Sequence, residues 1–495
     1  MRKFCDVMHK YGLLAVIFIM IVAGVIVRLK LILFNQSLWS DECSLYLNIS
    51  KFDYWQFFKP LAWFQVAPPI FMVIEKFFFD LFKNVLPMEM SLRLFPLFCS
   101  IATLFLLPFF VEKVYKNRTV TAITTFITAF TPYVANYSSE VKQYSCELFV
   151  SILLFIFFSF FDIKNFSKKK LVIFSIIISL APLLSLSSFF VTVAGAVVVF
   201  YNLYKNRKEI NLREYSLCYF IPFVIIEISI YFLLIKPIYD DKYTELVFYW
   251  SFVEPSMFTL SSFYGKFSKT TFELMGDFFN INYSFWHLFF WGSLVLLLIR
   301  NNIKLSILLL GSLAVTIFVS FAHLYPYDCR LILFLFPVFA IIYMQLFLFL
   351  DKKCFSPIIV IGLLVATIIA SGYSTESYII HRTKIREVCE DLKKVNPELK
   401  NVIGPEGGLE TYSDGVAVLG VNIWEKLDEK VFIEDVCSLP YDEYYIFLAD
   451  DTPFNDELRN MLKTSKDFVT LPISSPDNQE YTNIIKIRNV CAIKN

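Results

Sequence analysis

Apolar residues dominate this chain in long blocks, and the blocks are separated by short polar clusters. A membrane-crossing helix needs about 20 consecutive apolar residues. Eleven segments approach that length: 12–34, 91–113, 119–136, 143–161, 171–186, 188–204, 216–236, 286–300, 304–323, 331–350 and 356–373. The fifth and sixth are short and nearly continuous. The first could pass for a signal peptide, but no small-residue cleavage site follows it. Arg28 and Lys30 instead lead into more apolar sequence, so it is expected to stay as a helix. The expected class is a polytopic α-helical membrane protein.

The basic residues alternate with the blocks. Every second loop carries them: Arg2, Lys3 and Lys10; Lys113, Lys116 and Arg118; Lys164 and Lys168 to Lys170; Lys205, Arg207, Lys208 and Arg213; Arg300 and Lys304; Lys352 and Lys353. The short loops between hold little beyond Lys142 and Arg330. The positive-inside rule then puts the N-terminus in the cytoplasm and everything after about residue 374 on the outer face.

Three outer segments are long. In 37–90, "FDYWQFFKPLAWFQ" and "PPIFMVIEKFFFDLF" are too short to span and rich in rings, and both are expected as interfacial amphipathic helices. Residues 237–285 form a second aromatic loop. The tail, 374–495, changes character. "HRTKIREVCEDLKKV" reads as a charged helix, and "NVIGPEGG", "KVFIEDV" and "EYYIFLADD" read as short strands ending in turns. The expectation is a transmembrane domain over 1–373 and a small soluble α/β domain over 374–495. "GPEGG" reads as a turn and is not a phosphate-binding glycine pattern. Cys389, Cys437 and Cys491 allow one internal disulfide plus a free thiol.

Composition narrows the functions. The chain is 57% hydrophobic and 18% charged, with 56 Phe. A net charge of +1 gives no argument for nucleic acid. Ten Cys show no CxxC, and four His (His9, His287, His323, His381) are too few and too scattered for His-based metal binding or catalysis.

Three short polar loops fall on the expected outer face. "LWSDE" brings Asp41 and Glu42. They read either as the acidic first turn of the next helix or as carboxylates placed to take a proton from an incoming hydroxyl or amine. "YSSEVKQYS" brings Glu140, Lys142, Gln143 and Tyr144. It reads as a hairpin tip with an ion pair, or as a set of groups for sugar hydroxyls or a cation. "HLYPYDCR" brings Tyr325, Tyr327 and Arg330. Arg330 reads as a snorkelling side chain or as a guanidinium fork on a lipid phosphate. Together the loops describe a site at a membrane–water boundary suited to a lipid-linked phosphate.

On these residues the chain resembles the GT-C superfamily of polytopic glycosyltransferases, in the bacterial branch similar to protein O-mannosyltransferases and the lipid A aminoarabinose transferase. "LWSDE" (38–42), "QVAPPIFMVIEK" (65–76), "SLRLFPLFCS" (91–100), "YSSEVKQYS" (137–145), "LSLSSFFVTVAGAVVV" (184–199) and "YPYDCRLILFLFP" (325–337) follow the family's order over roughly residues 10–350. The resemblance implies a sugar donor linked through phosphate to polyprenol, inversion at the anomeric carbon, and polyprenyl phosphate as leaving group. It implies Asp41 as base or acceptor-orienting carboxylate with Glu42 as companion. Glu140, Lys142 and Tyr144 would line the pocket, and Arg330 would stand near the donor phosphate. The family's "YPFGGR" reads "YPYDCR" here, which adds Asp328 beside that phosphate. The resemblance names no definite cofactor; a divalent cation is left open. The acceptor is a glycolipid, a glycan or a protein, and the family match with few structural disulfides favours a bacterial inner membrane. Two rivals stand beside this reading: a transporter or flippase of lipid-linked sugars, for which Glu227 within a span is the main support, and a non-catalytic envelope assembly scaffold using the tail as a binding module.

Overall fold

The computed structural model describes residues 6–63, 65–237, 252, 293–297, 302–328, 330–350, 356–373, 384–404, 406–413, 419–420, 436–439, 441, 443–448, 453–464, 468–471 and 484–489. Nearly all of the loop 237–285, most of the segment 286–300, and nearly all of "KVFIEDV" fall outside the described residues.

The first apolar block forms helix α1 (Leu13–Leu33), whose 21 residues at 1.5 Å each span about 31 Å, the thickness of a hydrocarbon core. Two shorter helices, α2 (Ser40–Lys51) and α3 (Pro69–Phe82), follow. Next come α4 (Met88–Leu92), α5 (Leu94–Tyr115), α6 (Arg118–Phe130) and α7 (Pro132–Asn136). The chain then turns through residues 137–143 into α8 (Tyr144–Ser159), α9 (Lys168–Ser179), α10 (Ser188–Lys205) and α11 (Leu212–Ile230). Later come α12 (Ile303–Phe321), α13 (Phe336–Leu350) and α14 (Ser356–Gly372). The protein is thus a multi-pass membrane protein. Among the described residues five helices are long and apolar enough to cross a bilayer by themselves, and up to six if the bent pair Pro132–Ser139 and Tyr144–Ser159, broken by 118°, counts as one.

The helices meet through small residues. Gly24 of α1 lies where a Cβ would come within 2.9 Å of the Ala129 Cβ, and a Cβ on Gly195 of α10 would fall 2.1 Å from the Phe158 ring of α8. Such close approach is how helices pack when lipid gives no hydrophobic drive between them. In the first of these seams sits Arg28, fully buried. Its guanidinium donates to Ser100 Oγ at 2.7 Å, Gly24 O at 3.0 Å, Thr128 O at 2.9 Å and Ala129 O at 3.1 Å. The last two are end-of-helix carbonyls of α6. Pro132, having no N–H, cannot serve the Thr128 carbonyl, so Arg28 closes α6 where the chain turns toward residues 137–143.

The first long loop departs from the expected pair of amphipathic helices. "PPIFMVIEKFFFDLF" is α3, but "FDYWQFFKPLAWFQ" makes only a 3₁₀ turn, Tyr54–Phe58. Pro60 denies the preceding residue an α conformation and removes a donor. Beyond it, Asn48 of α2 holds both sides of Ala62, accepting from its N–H at 2.9 Å and donating to its carbonyl at 3.1 Å. A side chain there does the work of a neighbouring strand.

The tail carries α15 (Ile385–Val395), α16 (Glu406–Ser413) and α17 (Pro453–Thr464). It also carries a five-stranded sheet of β1 (Val402–Gly404), β2 (Leu419–Gly420), β3 (Glu443–Phe447), β4 (Phe468–Leu471) and β5 (Ile484–Asn489), in the order β2-β1-β3-β5-β4. β2, β1 and β3 run parallel; β5 is antiparallel to β3 and to β4. The expected turn in "GPEGG" is instead the entry to α16, which begins at Glu406. Cys437 is disulfide-bonded and Cys389 is a buried free thiol. The tail docks on the first loop. Tyr412 Oη accepts from the Leu38 N–H at 2.7 Å and donates to Glu89 at 3.1 Å. Arg386 bonds Glu89 at 2.6 Å and the Asn35 carbonyl at 3.2 Å, and Glu410 pairs with Lys51.

Candidate functional site

The segment "LWSDE" turns from extended backbone at Trp39 into α2 at Ser40. Asp41 and Glu42 are thus first-turn carboxylates, where the helix dipole favours negative charge. The two neighbours have opposite surroundings. Glu42 is 1% exposed and held from all sides. Arg93 reaches it at 2.9 and 3.2 Å, the Val141 N–H donates to it at 2.6 Å, and its other oxygen takes the Trp39 N–H at 3.2 Å. That last contact is the returning half of a capping box. Arg93 also donates to the Gln36 carbonyl at 2.7 Å. Glu42 therefore locks the 36–42 segment against the loop 137–143.

Asp41 points the other way, with its side chain 29% exposed. Its Oδ2 is 3.4 Å from Lys142 Nζ and 3.8 Å from Arg330 Nη1. The two cations are 6% and 17% exposed. Both stand over the buried Trp39 ring, at 5.7 Å and 5.5 Å from its centroid, where the ring face attracts positive charge. Lys142 also donates to Gln65 Oε1 at 2.8 Å. Burial lowers the Lys142 ammonium from its ordinary range; Asp41 opposes that shift and Arg330 adds to it.

Glu140 is buried and takes a hydrogen bond from Asn136 on Oε1, while its Oε2 has no hydrogen-bond partner. Burial first, and Glu42 next, push its carboxyl up to about 8, against the Asn136 bond and the charges of Arg93 and Arg330. With Glu42, Arg93, Asn136, Ser139 and Trp39 it lines a cavity with room for about one water.

The remaining candidates surround this centre. Gln143 donates to the Val66 carbonyl at 3.3 Å. Tyr144 is buried and meets Tyr137 edge-on at 4.9 Å. Tyr325 donates to the Leu331 carbonyl at 2.7 Å and packs edge-on against Phe190. Tyr327 is fully buried. Asp41, Lys142 and Arg330 therefore meet directly, while Glu42 and Glu140 back them and the tyrosines form the wall. Glu227 lies apart, accepting from Thr192 at 3.2 Å between α11 and α10.

Three participants were not singled out from sequence. Arg93 opens the second long helix as the sole cation of "SLRLFP", the same signal that marked Arg330. Trp39 and Gln65 had no signal beyond lying in quoted motifs. As a divalent-metal site the donor set fits poorly. Asp41 faces two cations, Glu42 is bound by a third, and among the described residues no three His, Cys, Asp or Glu side chains converge.

Neither a protein-family model nor a curated protein matches the sequence. Solved structures do match. The crystal structure of ArnT from Cupriavidus metallidurans in the apo state aligns with a TM-score of 0.52 at 10% identity, over 95% of this chain and 98% of that one. ArnT from the same organism bound to undecaprenyl phosphate aligns with a TM-score of 0.52 at 10% identity, over 97% and 98%. The Archaeoglobus fulgidus oligosaccharyltransferase, in complex with Zn and sulfate, aligns with a TM-score of 0.50 at 13% identity, over 86% of this chain and 68% of that one. The chain shares the polytopic fold of these proteins.

Proposed function

We propose that the protein is a membrane glycosyltransferase that moves a sugar from a polyprenyl-phosphate donor to an acceptor hydroxyl or amine at the membrane–water boundary. The observation that carries this reading is one half-exposed carboxylate, Asp41, set between two nearly buried cations, Lys142 and Arg330. The ArnT structure with undecaprenyl phosphate supports a lipid-linked phosphate as the donor class on this fold.

The charges suit the chemistry. A phosphodiester donor carries one negative charge and its phosphate leaving group gains a second. Lys142 and Arg330 would offset that gain in a site where cations are worth more than in water. Asp41 would steer the acceptor into line with the anomeric carbon. The acceptor atom bonds to that carbon from the face opposite the phosphate, and the carbon–oxygen bond to phosphate breaks. The electron pair stays on the phosphate oxygen, and the acceptor proton passes to Asp41. The sugar is delivered with inversion. Glu42 holds the backbone that aims Asp41, and Glu140 supports the loop that carries Lys142.

The alternation of basic loops argues that the site and the tail, 374–495, lie on the outer face of a bacterial inner membrane, with 1–373 as the catalytic domain. A panel of radiolabelled polyprenyl-phosphate sugars, offered to purified protein in nanodiscs with crude membrane acceptors, tests the proposal. The expected result is release of polyprenyl phosphate from one donor by wild type, with a loss of about 100-fold or more in Asp41→Asn. Unchanged transfer in well-folded Asp41→Asn and Arg330→Ala would overturn the assigned roles.

A further inference from the structure

Asp41 and Glu42 are adjacent carboxylates that treat their cations differently. Glu42 is bound tightly, at 2.9 and 3.2 Å from Arg93, with a backbone N–H at 2.6 Å. Asp41 stands farther from its two cations, at 3.4 Å from Lys142 and 3.8 Å from Arg330. Charge-assisted hydrogen bonds normally close to about 2.7–2.9 Å. The cations are also fixed independently of Asp41, Lys142 by Gln65 and both by the Trp39 face. Asp41 therefore occupies the mouth of a two-cation cradle whose cations also have anchors of their own.

We infer that Asp41 is an internal stand-in for the donor's phosphate: it occupies the Lys142–Arg330 cradle in the empty enzyme and is displaced from it when the lipid phosphate arrives. The inference rests on the reading of the site as a lipid-phosphate site and adds an order of events to it. While the cradle holds Asp41, the carboxylate is turned to cations and is a poor partner for an acceptor proton. Once phosphate takes the cations, Asp41 is released toward the acceptor side. Binding is then ordered, donor before acceptor, and the carboxylate is unmasked only when there is something to transfer. The longer distances are the condition for this exchange. A clamp as tight as that on Glu42 would compete too strongly with phosphate.

The test measures equilibrium binding of polyprenyl monophosphate, with polyprenol lacking phosphate as the control, to the full chain in nanodiscs of fixed lipid composition. Wild type, Asp41→Asn, Lys142→Met and the double variant are compared, each with its melting temperature. A competing carboxylate gives a prediction of unusual sign. Asp41→Asn, although inactive, should bind polyprenyl phosphate about tenfold more tightly than wild type. The gain should shrink in the Lys142→Met background, because the two changes act on one contact. Asp328→Asn, a nearby carboxylate in the Arg330 loop, should bring a much smaller gain, which separates exchange at the cradle from a general change in local charge. Equal or weaker binding by Asp41→Asn, or an equal gain from Asp328→Asn, would overturn the stand-in role and leave the donor reading standing. Binding of polyprenol and polyprenyl phosphate alike by wild type would overturn both. If Asp41→Asn does not fold, Asp41→Ser removes the same charge and carries the same expectations.

Discussion

Arg93 and Glu42 are separated by 51 positions and form a nearly dry ion pair. Removing one member of such a pair leaves an uncompensated buried charge, at a cost of about 3–5 kcal/mol. Arg93→Met should therefore lower thermal stability in detergent far more than Lys142→Met does, since Asp41 keeps access to water. Glu140 offers a pH test. Burial and the neighbouring Glu42 push its carboxyl up to about 8 in the folded protein, from an ordinary value of 4.5. Between those pH values the unfolded chain has lost the proton that the folded chain retains, so this group's contribution to stability falls as pH rises. Glu140→Gln removes the effect. Its melting temperature relative to wild type should climb between pH 5 and pH 8 and then level off. A flat difference across that range would mean that Glu140 is ionised in the fold.

Among the elements, hydropathy alone located most of the helices. Each apolar block outside 286–300 coincides with described helix, because period and length decide a span with little help from partners. The first long loop was less legible. Ring-rich composition suggested two interfacial helices, but with Pro60 and the grip of Asn48 on Ala62 one of them is a 3₁₀ turn followed by irregular chain. That grip is a tertiary contact and leaves no periodic trace. Asn48→Ala would leave the part-buried Ala62 N–H unmet and its carbonyl with the Gln65 N–H alone, at a cost of about 1 kcal/mol or more. Hydrogen exchange at residues 61–63 should report the loosening. The seam between α8 and α10 makes a sharper demand: Gly195→Ala drives a methyl into the Phe158 ring. It should cost about 1–3 kcal/mol by overpacking, read as a lower melting temperature, with Phe158→Leu in the same chain restoring part of it.

At the scale of the whole molecule, the site is assembled from loops far apart in the chain. Sequence placed Asp41, Lys142 and Arg330 in one site on the outer face, each a polar group where a short turn would do. Their meeting over Trp39 depends on how the helices pack, and no local pattern encodes it. The tail belongs to the same assembly. Tyr412 takes the Leu38 N–H, three residues before Asp41, and shares Glu89 with Arg386. Glu89 opens the short helix that leads to Arg93, so a polar chain runs from α16 to Glu42 and on to Val141. Tyr412→Phe should destabilise this docking by about 1–3 kcal/mol. Limited proteolysis of the tail and exchange at residues 36–40 should rise together, whereas a tail folded independently of the site would show the first change without the second.

Arg28 bears on how the protein is made. Two of its acceptors are backbone carbonyls 100 and 101 positions further along the chain. A ribosome adding about 5–20 residues per second needs roughly 5–20 s to reach them. For that interval the first helix carries an arginine whose acceptors on α6 do not yet exist, in a segment where a charge costs up to about 3 kcal/mol. The helix must be held by the insertion machinery, or ride high in the bilayer, until its seam arrives. The Arg28 seam can therefore close only after α6 has been made.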